Sequence, residues 1–129
     1  MDTLHPTVQY DLTFEAREGY LFAYVSGEHD SFEISAAYWS EIARELKKQN
    51  IDRVLIVEDI VEQSAVADVY NLSVHLVEMG FRGIKIAFVD RHSSHEELNE
   101  FGVLVGSNRG LIAQAFNDEA AAEKWLLAE

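Results

Sequence analysis

Arg53-Val54-Leu55-Ile56-Val57 is a run of four apolar residues behind one arginine. An unbroken apolar stretch this short reads as a strand covered on both faces, the situation of a parallel strand inside an α/β sheet. Ile84 to Val89 (IKIAFV) and Leu111 to Phe116 (LIAQAF) read as the fourth and last strands. The spacing between these runs predicts helices. Ahead of the first, about Ser31 to Gln49 carries Ile34, Tyr38, Ile42 and Leu46 at four-residue intervals, with Lys47 and Lys48 in the last turn, where they suit the helix dipole. Asp30 with Glu33 has capping-box spacing, and Ser31 is the alternative cap.

After the first run, Glu58 to Ser64 reads as a polar loop, and a helix follows over about Ala65 to Met79, closed by Gly80. It is apolar round most of its circumference, through Val66, Val69, Tyr70, Leu72, Leu76, Val77 and Met79. Such a helix is deeply buried or covers a ligand or partner surface. A third helix is predicted over about Glu96 to Ser107, with Ser93 and Glu96, or Ser94 and Glu97, as its capping box. The closing helix, about Asp118 to Leu127, has Asn117 as its expected cap and Ala122, Trp125 and Leu126 as its inner stripe.

Upstream, Tyr10 to Ala16 alternates, with Tyr10, Leu12 and Phe14 on one face and Asp11, Thr13 and Glu15 on the other. That is a half-exposed edge strand. After the turn Arg17-Glu18-Gly19 it pairs as a hairpin with Tyr20 to Val25. The order is therefore ββαβαβαβα: an α/β chain with a mainly parallel five-stranded sheet, an antiparallel N-terminal edge strand and four helices. Residues 1–9 read as a flexible leader before a single domain over residues 10–128.

Charge and composition narrow the function classes. With 10 basic and 23 acidic side chains the net charge is −13, which repels phosphate-rich surfaces and argues against nucleic acid and anionic lipid as partners. The acids are scattered, the pattern of a solvated surface. There is no cysteine, so disulfides, thiolate metal sites and a cysteine nucleophile are excluded. Met1 to Thr7 lacks the basic start and apolar run of a signal peptide, and no uncharged apolar stretch reaches the roughly 20 residues of a membrane helix, so the expected location is the cytoplasm and no membrane insertion is expected.

The element order, with Asn108-Arg109-Gly110, the strand ending in Phe116, Asp118-Glu119 and the pair Trp125-Leu126, resembles the STAS domain and, within it, the SpoIIAA-like group of bacterial anti-sigma-factor antagonists. The resemblance runs from about Tyr10 to Ala128. It implies a STAS-like, SpoIIAA-like fold and a regulatory role in bacteria exercised by binding another protein. In that family an Asp-Ser pair after the third strand opens the second helix, and its serine is phosphorylated by a partner kinase. Here Gln63-Ser64 stands in that place, without the aspartate, and Ala65-Val66-Ala67 replaces the small Gly-rich continuation. The resemblance thus marks Ser64, Gln63, Glu62 and Asp59 as candidates for partner binding or a phosphoswitch; the plainer role for Ser64 is to cap the helix. Some members of the group resemble lipid-binding folds, and Tyr38, Trp39, Tyr70 and Phe81 are the candidates to line an apolar pocket of that kind, with ordinary core packing as the alternative.

Glu58, Asp59 and Glu62 after the third strand, and Asp90 after the fourth, gather carboxylates where ligands bind in open α/β sheets. Glu58, Asp59 and Asp90 are weak candidates for a hard cation, and a solvated acidic loop is the plainer reading. His92 and His95 are three apart, yet His92 precedes the helix, so the pair reads as surface or capping histidines. Gly80-Phe81-Arg82-Gly83 precedes a strand and is no dinucleotide fingerprint, and no Gly-x-Ser-x-Gly elbow is present. The expectation is a non-enzymatic regulatory protein-binding module without a cofactor. A small apolar-ligand carrier is the alternative, and an enzyme using strand-end carboxylates a further one. A protein partner, a small lipid or fatty acid, and a second copy in a homodimer are the partners this reading admits.

Overall fold

Tyr10, Leu12 and Phe14 turn one face of the first strand toward the core, as their alternation demands. The structure, a computed structural model, describes residues 9–62 and 64–128. The expected leader, Gln9 apart, and Gln63 lie outside the described residues. Strand β1 (Asp11–Arg17) pairs antiparallel with β2 (Tyr20–Gly27), and β2, β3 (Arg53–Ile60), β4 (Lys85–Asp90) and β5 (Ile112–Phe116) run parallel in that spatial order. Helices α1 (Phe32–Gln49), α2 (Val66–Glu78) and α3 (Glu96–Ser107) make the crossovers, and α4 (Glu119–Leu127) ends the described chain. The α/β order ββαβαβαβα, the five strands, the antiparallel edge and the four helices are all present as the sequence predicts.

The unreversed strand order decides the layering. Each parallel connection steps the same way, so right-handed crossovers place α1, α2 and α3 on one face and leave the other to α4. Leu21, Ala23, Val25, Val54, Ile56 and Ile86 meet α1 and α2, while Leu55, Val57, Ala87 and Val89 meet Ala122 and Leu126 of α4. The RVLIV run is apolar on both faces for this reason.

Local corrections follow from side-chain chemistry. β3 continues to Ile60, so Glu58 and Asp59 belong to the strand rather than to a loop. Ser31 caps α1 by accepting from the Ile34 amide at 3.2 Å, which frees Asp30 for other partners. The buried stripe of α1 is Ser35, Tyr38, Trp39, Ile42 and Leu46, with Ile34 at its edge. The cap of α2 is Ala65, with no side-chain bond, so Ser64 does not cap the helix. Ser93 to His95 form a short 3₁₀ turn that leads straight into α3, and neither serine caps it. At α4, Asp118 rather than Asn117 accepts from the Ala121 amide at 2.8 Å.

Helices α2 and α3 touch through small groups. A Cβ at Gly102 would stand 3.0 Å from Val69 Cγ1, and Ser73 Oγ, which donates to Val69 O at 2.9 Å, also lies 3.1 Å from Gly102 O. This near-backbone contact joins the two helices above the sheet, and a hollow remains beneath them.

Candidate functional site

The hollow is a cavity of about 110 Å³. Its apolar walls include Trp39 of α1, Leu72 and Leu76 of α2, Ile86 and Phe88 of β4, and Leu111. Its polar end lies at the carboxyl edge of the parallel strands, where Asp30, Glu58, Glu62, Ser64, Asp68, His95 and Asn99 meet. Because the strand order never reverses, the sheet has no switch-point crevice; the space lies between the helices and the sheet instead.

Glu58 is the centre of the polar end. Period-two alternation along β3 puts it on the face of Val54 and Ile56, and its register partner on β4 is Asp90. The Tyr38 hydroxyl donates to Glu58 Oε2 at 2.6 Å and lies 3.3 Å from Asp30 Oδ2. Burial, with Asp30 and then Asp90 nearby, pushes the Glu58 carboxyl up to about 8 against the pull of the Tyr38 bond. The side chain is therefore mostly uncharged at neutral pH. Burial also raises Asp30; the Ser35 hydroxyl at 2.6 Å, the Ser31 amide at 2.8 Å, Tyr38 and, most weakly, Ser64 offset part of that rise. The Tyr38 hydroxyl itself is held well above its ordinary value, first by burial and then by the two carboxyls.

Asp59, one residue on, points to the opposite face of the sheet, where it accepts from the Tyr24 hydroxyl at 2.6 Å and lies 2.9 Å from His92 Nε2. The Tyr24 bond, and after it His92, hold its carboxyl below the usual value. Glu58, Asp59 and Asp90 thus do not converge. No group of three His, Cys, Asp or Glu side chains among the described residues is arranged to hold a metal ion.

His92 and His95 stack with ring centroids 5.3 Å apart. Contrary to the surface reading, His95 is only 6% exposed, because the 3₁₀ turn carries it under α3. Its Nδ1 lies 3.1 Å from Asp90 Oδ2, and Asn99 donates to the same oxygen at 2.8 Å.

The apolar-pocket candidates divide. Tyr38 and Trp39 line the cavity. Phe81 does not; it is buried behind Trp39 in an edge-to-face contact with centroids 5.3 Å apart. Tyr70 is 41% exposed on the outer face of α2, where its hydroxyl accepts from Arg109 Nη2 at 3.0 Å. Of the partner-binding candidates, Glu62 and Ser64 lie at the cavity mouth, Asp59 lies on the far face, and Gln63 is outside the described residues. Val61 and Val66, flanking them, are 64% and 61% exposed. The mouth is fixed by backbone bonds from Val61 N to Gly27 O at 3.2 Å and from Glu62 N to Glu28 O at 2.9 Å.

Sequence reading missed Asp30, Ser35, His95 and Asn99 as members of one site. The available signal was Ser35 beside the α1 stripe, since a hydroxyl there has to find a buried partner.

No protein-family model matches the chain, and no curated protein sequence matches it. Among solved structures, it is similar to the crystal structure of an anti-sigma factor antagonist from Mycobacterium paratuberculosis, at 14% identity and a TM-score of 0.63, over 97% of this chain and all of that one. The likeness is one of fold, and the fold is the STAS-like, SpoIIAA-like one that the sequence resemblance implies. No helix among the described residues is long and apolar enough to cross a membrane.

Proposed function

We propose that this chain is a regulatory protein-binding module whose docking surface is the corner between β3 and α2. The observation that carries the reading is the clustering of exposed apolar side chains there. Of the six large apolar residues exposed among the described residues, Val61, Val66 and Tyr70 fall within one ten-residue stretch. Exposed apolar groups rimmed by polar ones mark contact surfaces, and here Glu62 and Asp68 supply an acidic rim beside the Ser64 hydroxyl. A partner with an apolar patch bordered by basic side chains fits it. The structural neighbour is named as an antagonist of an anti-sigma factor, and a protein of that class is the partner to try first.

Ser64 sits on this surface among Asp30, Glu62 and Asp68. A phosphate there meets like charge rather than a compensating cation, so modification of Ser64 opposes the resting arrangement of the mouth. The direct test is binding of the purified chain to anti-sigma factors encoded in the same genome, with Val66→Asp as the paired variant. Specific binding by the parent chain that the variant loses supports the reading. Binding unaffected by Val66→Asp removes this surface from it.

One observation favours a second reading, small-ligand binding: the cavity beneath α2 and α3 has apolar walls and a polar end. Native mass spectrometry of the purified chain tests it through the mass of any retained molecule.

A further inference from the structure

We infer that the cavity is a site for a small organic cation, a primary ammonium carried on a short apolar body. The inference deepens the small-ligand reading and is independent of the protein-binding one.

Three observations lead to it. The walls are apolar and the volume of about 110 Å³ limits the body to a few carbons; an engineered apolar cavity of roughly 150 Å³ is known to take benzene. The polar end carries four carboxyl groups, from Asp30, Glu58, Glu62 and Asp68, and no lysine or arginine is among its lining residues. His95 is more than nine-tenths buried, and it lines the same space. Asp90 accepts from Asn99 and from the His92 amide, and its Oδ2 lies 3.1 Å from His95 Nδ1. The other ring nitrogen of His95, Nε2, has no hydrogen-bond partner among the described residues.

This end of the cavity is rich in carboxyl oxygens and holds no cationic lysine or arginine. An alkylammonium presents three N–H donors and one positive charge to it. A fatty acid or other anion finds no lysine or arginine there and meets the carboxylates of Glu62 and Asp68, so the lipid-like ligand expected from family resemblance is disfavoured by its head group. The groups next to Glu58 are Asp30 from the loop before α1, Tyr38 of α1 and Asp90 of β4, and Glu62, Asp68 of α2 and His95 line the same cavity. A bound cation among them favours the charged form of Glu58, so binding releases a proton near neutral pH. Affinity therefore rises as pH is raised from 6.5 to 8.5.

The test uses n-pentylamine, 1-pentanol and pentanoate, which share one body and differ in charge, with methylamine as the control for adsorption to an acidic surface. Backbone amide shifts of the full chain report both site and affinity. The expected result is saturable pentylamine binding that shifts Leu72, Gly102 and Val103. It should be at least tenfold tighter than pentanol, with pentanoate and methylamine silent at this site. Glu58→Gln and Asp30→Asn should each narrow the amine-to-alcohol ratio, and Glu58→Gln should remove the rise with pH. Pentanol binding as tightly as the amine overturns the cation assignment and leaves the small-ligand reading standing. Failure of all three probes to bind the folded parent chain, or amine shifts lying outside the cavity, overturns the site itself.

Discussion

The Tyr38 hydroxyl donates to Glu58 Oε2 at 2.6 Å, with both side chains buried between α1 and the sheet. Tyr38→Phe removes the donor and leaves the carboxyl buried without it. The expected loss is about 1–3 kcal/mol of stability, read by urea unfolding at pH 7. Because this bond pulls the Glu58 carboxyl down, the variant should also titrate above the parent's value of about 8, which carboxyl-carbon NMR measures.

Glu58 makes stability fall as pH rises. Its folded value, about 8, lies above its ordinary 4.5, so its contribution is complete below pH 4.5 and is lost through pH 8. The size is on the order of 5 kcal/mol. Asp30, also raised, acts in the same direction, whereas Asp59, lowered by Tyr24 and His92, contributes stability that is lost in acid. Glu58→Gln stays neutral throughout. Relative to the parent it should gain stability steadily between pH 5 and pH 8, as paired unfolding curves at those two values will show; a constant difference contradicts the assignment.

Trp39 and Phe81 close the floor of the α1–α2 core edge to face. Phe81→Ala should cost about 3–5 kcal/mol and lower the thermal midpoint accordingly. Tyr70→Ala, on the outside of α2, loses only the Arg109 contact and should stay within roughly 1 kcal/mol of the parent. Scanning calorimetry of the two variants separates core from surface.

Ser64→Glu places a charge beside Asp30, Glu62 and Asp68. It should raise the Asp30 carboxyl further and reduce partner binding at least tenfold, while Ser64→Ala leaves binding close to that of the parent. Calorimetric titration with the partner distinguishes the two substitutions.

The architecture was legible because it rests on periodicity. RVLIV is apolar on both faces since helices cover both, and Tyr10, Leu12 and Phe14 alternate because the core covers only one face of β1. Caps were less legible, since Asp30, Ser31, Ser64, Ser93 and Asn117 all have the chemistry of a cap and only Ser31 of these serves as one. The cavity residues were legible one at a time but not as a group. Glu58 and Asp59 are neighbours in sequence and lie on opposite faces of the sheet, whereas Asp30 and Glu58 share Tyr38 from opposite ends of a helical crossover. His95 was singled out beside His92, but its burial was not legible, because it comes from a turn that its own side chain does not specify.

The protein-binding reading is tested most directly by amide hydrogen exchange of the chain with and without its bound partner. Protection confined to residues 61–70 and the adjoining loop before α1 is the expected result. Protection centred on α4, with the β3–α2 corner exchanging as in the free chain, contradicts it.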